Sequence, residues 1–176
     1  MTAVGAALRA GVLLVAVAIL APLATLAGTP SPLLPLSAFP RERIAVETRS
    51  ARRHVFEAWR ADTPESLTQG LMFVTSLRPD QAMIFIYEPA QYASMWMKNT
   101  LIPLDMLFVD SGGCVVKVHE RARPGDLSTI KASVPVALVV ELAGGTASNL
   151  GIGRGDRVTR PEIGWPRDQT PCSAPR

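Results

Sequence analysis

Met95-Trp96-Met97-Lys98-Asn99-Thr100-Leu101-Ile102-Pro103-Leu104-Asp105 sets one ammonium, one amide and one carboxylate among large apolar side chains, with Pro103 stiffening the path between them. Charged groups amid apolar neighbours cost free energy unless they are paired, hydrogen-bonded or in water. The stretch therefore marks either a locked structural network or the wall of a binding cleft. It runs into Leu104 to Val109, an apolar segment of strand length that closes in the glycine turn Asp110-Ser111-Gly112-Gly113.

Outward from this stretch the pattern is that of short strands. Ile44, Val46 and Thr48 alternate with charged residues, and Val55, Glu57 and Trp59 follow a short turn, which predicts an antiparallel hairpin. Thr63-Pro64-Glu65 is a helix start, with a capping hydroxyl, a proline at the first helical position and an acid facing the dipole. That helix should end near Gly70. Met83 to Tyr87 and Val134 to Leu142 are apolar strands covered on both faces, with Pro135 at the entry of the second. Cys114 to Val118 returns from the glycine turn, Ala143 to Leu150 offers one or two helical turns, and Arg157-Val158-Thr159 is a last short strand. The expected fold is α+β and β-rich: a partly closed, antiparallel, barrel-like sheet with two short helices.

The 176-residue chain reads as one domain behind a leader. Arg9 is the only charge among the first forty residues, and Ala10 to Ala27 is uncharged and ends in small residues. Residues 1–27 are expected to be a secretory signal peptide, with an uncleaved membrane anchor as the alternative. Residues 28–41 form a proline-rich linker, 42–160 the folded domain, and 161–176 a proline-rich tail. The expected location is the periplasm or the exterior. A net charge of +3, with basic residues scattered rather than striped, argues against nucleic-acid binding. In an oxidising compartment the two cysteines, Cys114 and Cys172, pair more often than they stay free, and a bridge would tie the tail to a core strand.

Gly70-Leu71-Met72, Met83-Ile84-Phe85, Trp96-Met97-Lys98-Asn99-Thr100, Ile102-Pro103-Leu104-Asp105, Val140 to Gly145, and Leu150-Gly151-Ile152 with Gly155-Asp156 occur in this order. Together they resemble the DUF192 (UPF0127) family over about residues 42 to 160. The resemblance implies a compact β-rich fold and frequent export, with no settled activity. The chain has Gln81-Ala82 ahead of Met83-Ile84-Phe85 where similar sequences commonly read Gly-Met-Leu-Phe, and it carries two cysteines that the pattern does not need.

Lys98, Asp105 and Glu141 are the charges most surrounded by apolar sequence. In the structural reading Lys98 is the counter-ion of a carboxylate and Asn99 satisfies strand ends. In the functional reading Lys98 and Asn99 donate to a ligand's oxygens, Trp96 supplies a stacking face, a carboxylate orients the ligand, and Met72 contributes to the wall. Such a cleft suits a small polar ligand or a cell-envelope group. The enzymatic alternative is a hydrolase working on a glycan through Asp105 and Glu141, which requires the two carboxyls about 5 to 10 Å apart across a cleft. Asp105 and Asp110 cannot pair along their own strand, because an odd spacing sends them to opposite faces.

His54 and His119 belong to no recognisable metal motif, and a Cys114–His119 pair on one strand would also point to opposite faces. Met72, Met83, Met95, Met97 and Met106 could suit a soft copper(I) ion, but methionine more often fills cores. No cofactor and no metal site are assigned from the sequence.

Overall fold

The hairpin predicted from the alternation at Ile44 to Trp59 forms as β1 (Arg41–Glu47) and β2 (Arg53–Ala61), in register from Arg41 opposite Trp59 to Glu47 opposite Arg53. The computed structural model describes residues 33–166 and 170–172. The chain divides into Met1–Pro32 and Leu33–Arg176, and the described residues all belong to the second unit. The leader at 1–27 and the start of the linker therefore lie outside the described residues.

After β2 comes the short helix α1 (Pro64–Gln69). Its start is the reciprocal cap expected of a hydroxyl ahead of proline: Ser66 N–H donates to Thr63 Oγ1 and Thr63 N–H to Ser66 Oγ. The strands β3 (Gln81–Gln91), β4 (Ser94–Met95), β5 (Leu104–Val109), β6 (Val115–Ala122), β7 (Ile130–Lys131) and β8 (Val136–Ala143) follow, then α2 (Thr146–Leu150) and β9 (Arg157–Thr159). Seven strands form one sheet in the order β6-β5-β8-β3-β2-β1-β9, curled into a half-barrel, and β4 pairs with β7 as a separate ribbon. The β-rich α+β class is as expected. One pairing differs from the expected antiparallel pattern: β3 runs parallel to β2, with Glu57 opposite Gln81 and Ala61 opposite Phe85. The reason is α1, which serves as the crossover between the two strands. A connection containing a helix returns the chain to the end where it began, and this generates a parallel pair.

The continuous apolar runs of β3, β5 and β8 are the centre of the sheet and are buried on both faces, the burial that such composition requires. One face carries Met83, Phe85, Met106, Phe108 and Val139; the other carries Ile84, Leu107, Val140 and Leu142. Residues 33–40 of the proline-rich stretch pack onto this body. Phe39 is buried in the first core, and the Gln69 amide both accepts from Leu34 N–H and donates to Leu34 C=O at 2.7 Å. At the other end Cys114 and Cys172 form a disulfide, with Cα atoms 5.4 Å apart, that pins the tail beside the start of β6.

Candidate ligand-binding site

Alternation along the central strands decides which side chains meet. On β3 the residues Met83, Phe85 and Tyr87 share one face, and antiparallel pairing sets Glu141 of β8 directly opposite Met83 and, on its other side, opposite Met106 of β5. Glu141 is thus a carboxyl set between two thioether side chains on a core face, and it is 4% exposed.

The ribbon strand β4 and the loop after it cover this face. Together with α1 and the turn Gly70-Leu71-Met72 they leave a cavity of about 60 Å³. Glu141, Phe85, Tyr87, Leu71 and Met95 line its interior, while Thr68, Ser94, Trp96 and Lys98 bring it to the surface. A space of this size holds a few water molecules. Gly70 is required at its wall. The residue sits at φ +50°, and a Cβ there would lie 2.8 Å from Phe85 Cζ.

The electrostatics of the interior rest on one group. Glu141 Oε2 is buried without a hydrogen-bond partner among the described residues, and burial pushes the carboxyl up to about 8. At neutral pH Glu141 is therefore largely protonated, able to donate through its O–H and to accept through its carbonyl oxygen. Tyr87 is pushed up to about 12, first by its own burial and then by the charge Glu141 would carry. Its hydroxyl lies 3.5 Å from Met95 Sδ, a weak acceptor. Lys98 is exposed at the rim, with its ammonium 5.0 Å from the centre of the Trp96 ring. Among the described residues lining the cavity, Glu141 is the one acid and Lys98 the one base.

This arrangement corrects the structural reading in which Lys98 is the counter-ion of a carboxylate. Lys98 forms no ion pair with Glu141 or Asp105. Asp105 pairs in register with Leu142, one position away from the Met106–Glu141 pair, so its carboxylate projects through the opposite face of the sheet. There it is wholly buried and accepts from the backbone N–H groups of Arg121, Gly145 and Ala147 at 2.8 to 2.9 Å. Asp105 thus fastens the start of α2 and the end of β6 to β5. The cavity is left with one carboxyl where a two-acid hydrolase needs a pair.

Asn99 also stands apart from the cavity. It occupies the left-handed region at φ 57°, a conformation asparagine tolerates well, and its carbonyl accepts from Phe73 N–H at 2.8 Å. Its amide lies 3.7 Å from Met72 Sδ, so Asn99 orders the cavity wall from outside. Met72 does line the cavity, as do Trp96 and Lys98. Met83, Met95, Met97 and Met106 are buried members of one apolar core. No group of three His, Cys, Asp or Glu side chains able to hold a metal exists among the described residues. The disulfide takes Cys114 out of any pairing with His119 as a nucleophile.

The sequence reading missed Tyr87, Thr68 and Ser94. Tyr87 was within reach, because it continues the every-second-residue row of Met83 and Phe85. Thr68 and Ser94 carry no such signal; only the packing of α1 and β4 over the sheet brings them to the rim.

No curated protein matches the chain. Solved structures that share its fold include two crystal structures. One, from Sinorhizobium meliloti 1021 and described as a "putative transcription regulator", is 40% identical, with a TM-score of 0.68 over 69% of this chain and 94% of that one. The other, a protein of unknown function from Novosphingobium aromaticivorans DSM 12444, is 38% identical, with a TM-score of 0.68 over 76% of this chain and 94% of that one. Residues 45–160 match the profile of DUF192, described as "Uncharacterized ACR", and a match over more than half the sequence places the chain in that family.

Proposed function

We propose that the chain is an exported, non-catalytic binding module that takes a small polar ligand, or a polar group of the cell envelope, into the cavity at Glu141. The observation that carries this reading is the unpartnered Oε2 of Glu141. A buried polar atom without a partner costs free energy, and a ligand that supplies the missing hydrogen bond recovers it. Trp96 offers a flat apolar face at the entrance, Lys98 a cation, and Thr68 and Ser94 hydroxyls that orient a guest. Support for export comes from the apolar leader and from the disulfide, since such bridges persist in oxidising compartments. The hydrolase alternative has less support, because Glu141 lacks a second acid in the cavity.

The test is a thermal-shift screen of sugars, amides, amines and amino acids against the chain and against Glu141→Gln and Lys98→Ala. At least one class should raise the melting temperature of the parent chain and lose that effect in Glu141→Gln. A flat response to all four classes, with no change at the Trp96 indole resonance, would overturn the reading.

A further inference from the structure

Resting on the binding reading above, we infer that the cavity selects small zwitterionic amino acids, with the ligand's ammonium directed to Glu141 and its carboxylate to Lys98. The one acid lies at the buried end and the one base at the exposed rim. A ligand positive at one end and negative at the other enters such a site in a single orientation. A simple amine would satisfy Glu141 but meet an unanswered Lys98 at the entrance. A simple carboxylate would satisfy Lys98 but press its apolar end against the buried acid. A neutral sugar would leave Lys98 unanswered and bring no cation against which Glu141 could ionise.

Size narrows the class further. At about 10–15 Å³ for each water-sized volume, a cavity of about 60 Å³ takes roughly five such volumes. Glycine, alanine and serine, with five to seven non-hydrogen atoms, are of that scale. The walls agree with this choice. Leu71, Phe85, Met72 and Met95 offer an apolar lining for a Cα and a small side chain, and the Met thioethers adapt their shape readily.

The reading carries its own pH signature. An ammonium binds the ionised form of Glu141, so binding draws a proton off a carboxyl whose free value is about 8. The other titratable groups near Glu141 are Tyr87 on β3, at about 12, and Lys98 after β4. The faces that β5 and α1 present there, Leu104, Met106 and Phe108 on β5 and Leu67, Thr68 and Gln69 on α1, carry no charge. Affinity for a zwitterion should thus rise on the order of fifty-fold from pH 6 to pH 8.

Isothermal titration of the full chain with glycine, alanine, methylamine, acetate and acetamide tests this. The expected result is binding of glycine or alanine that strengthens from pH 6 to pH 8. Methylamine and acetate should each bind at least tenfold more weakly, and affinity should fall at least tenfold in both Glu141→Gln and Lys98→Met. Methylamine binding as tightly as glycine would overturn the inference, as would glycine affinity that is indifferent to Glu141→Gln. If acetamide or a neutral sugar binds while both amino acids fail, the inference falls and the binding module stands. If every probe and the wider screen fail, both fall together.

Discussion

Met106 and Glu141 are direct partners across β5 and β8, and Asp105 and Leu142 are the next pair along. The two acids are therefore neighbours in the sheet yet face opposite sides of it. Each inherits a different surrounding. Glu141 is left alone at a cavity, whereas Asp105 is held by three backbone donors. This difference makes one a candidate for binding and the other a structural clasp.

The lone carboxyl makes stability depend on pH in a definite direction. Glu141 is raised from 4.5 to about 8, so between those values the folded state binds more protons than the unfolded state. The stabilisation is complete below about pH 4.5 and is lost as pH rises through about 8, with a total of a few kcal/mol. Thermal denaturation from pH 5 to pH 9 should show a falling melting temperature, and Glu141→Gln should flatten that slope. An equal slope in both proteins would show that Glu141 ionises as it does in water.

Asp105→Ala should destabilise the fold by about 3 kcal/mol or more, since it strands the buried N–H groups of Gly145 and Ala147 together with that of Arg121. Urea denaturation measures this. The same variant, assayed under folding conditions, should keep its ligand response, because the residue lies on the far face from the cavity.

Lys98→Ala should leave stability within about 0.5 kcal/mol, since the side chain is exposed and forms no ion pair among the described residues. A loss of several kcal/mol would reveal a buried partner and restore the expected salt bridge.

Gly70→Ala forces a Cβ to 2.8 Å from Phe85 Cζ at a positive φ, and should cost about 1–3 kcal/mol. Because Phe85 lines the cavity, the variant should also weaken ligand binding, and both effects are read from one ligand-dependent melting series.

The Cys114–Cys172 bridge closes a separation of 58 residues, for which the chain-entropy model gives about 4 kcal/mol. Replacing both cysteines with serine should lower the melting temperature by roughly 10 °C. Ligand response should persist, since neither cysteine lines the cavity.

Much of the framework was legible in the chain. Leu104–Val109 forms the strand read from its apolar run, Thr63-Pro64 starts a helix that ends at Gly70, and Asp110 closes its turn by accepting from Gly112 N–H and Cys114 N–H. These are local matters, settled by backbone preferences and the alternation of side chains over a few residues. Charge partners were not legible. Glu42 is gripped by Arg160, 118 residues away, as well as by Arg60.

The sequence by itself determined the strands, the caps, the turn chemistry and the family, because each depends on residues close together along the chain. Only the tertiary structure decided that β3 lies parallel to β2, that Asp105 and Glu141 part company through the sheet, and that Lys98 reaches water rather than an acid. Those outcomes depend on which strands become neighbours and in what register. A shift of one residue in that register moves a side chain from one face of the sheet to the other.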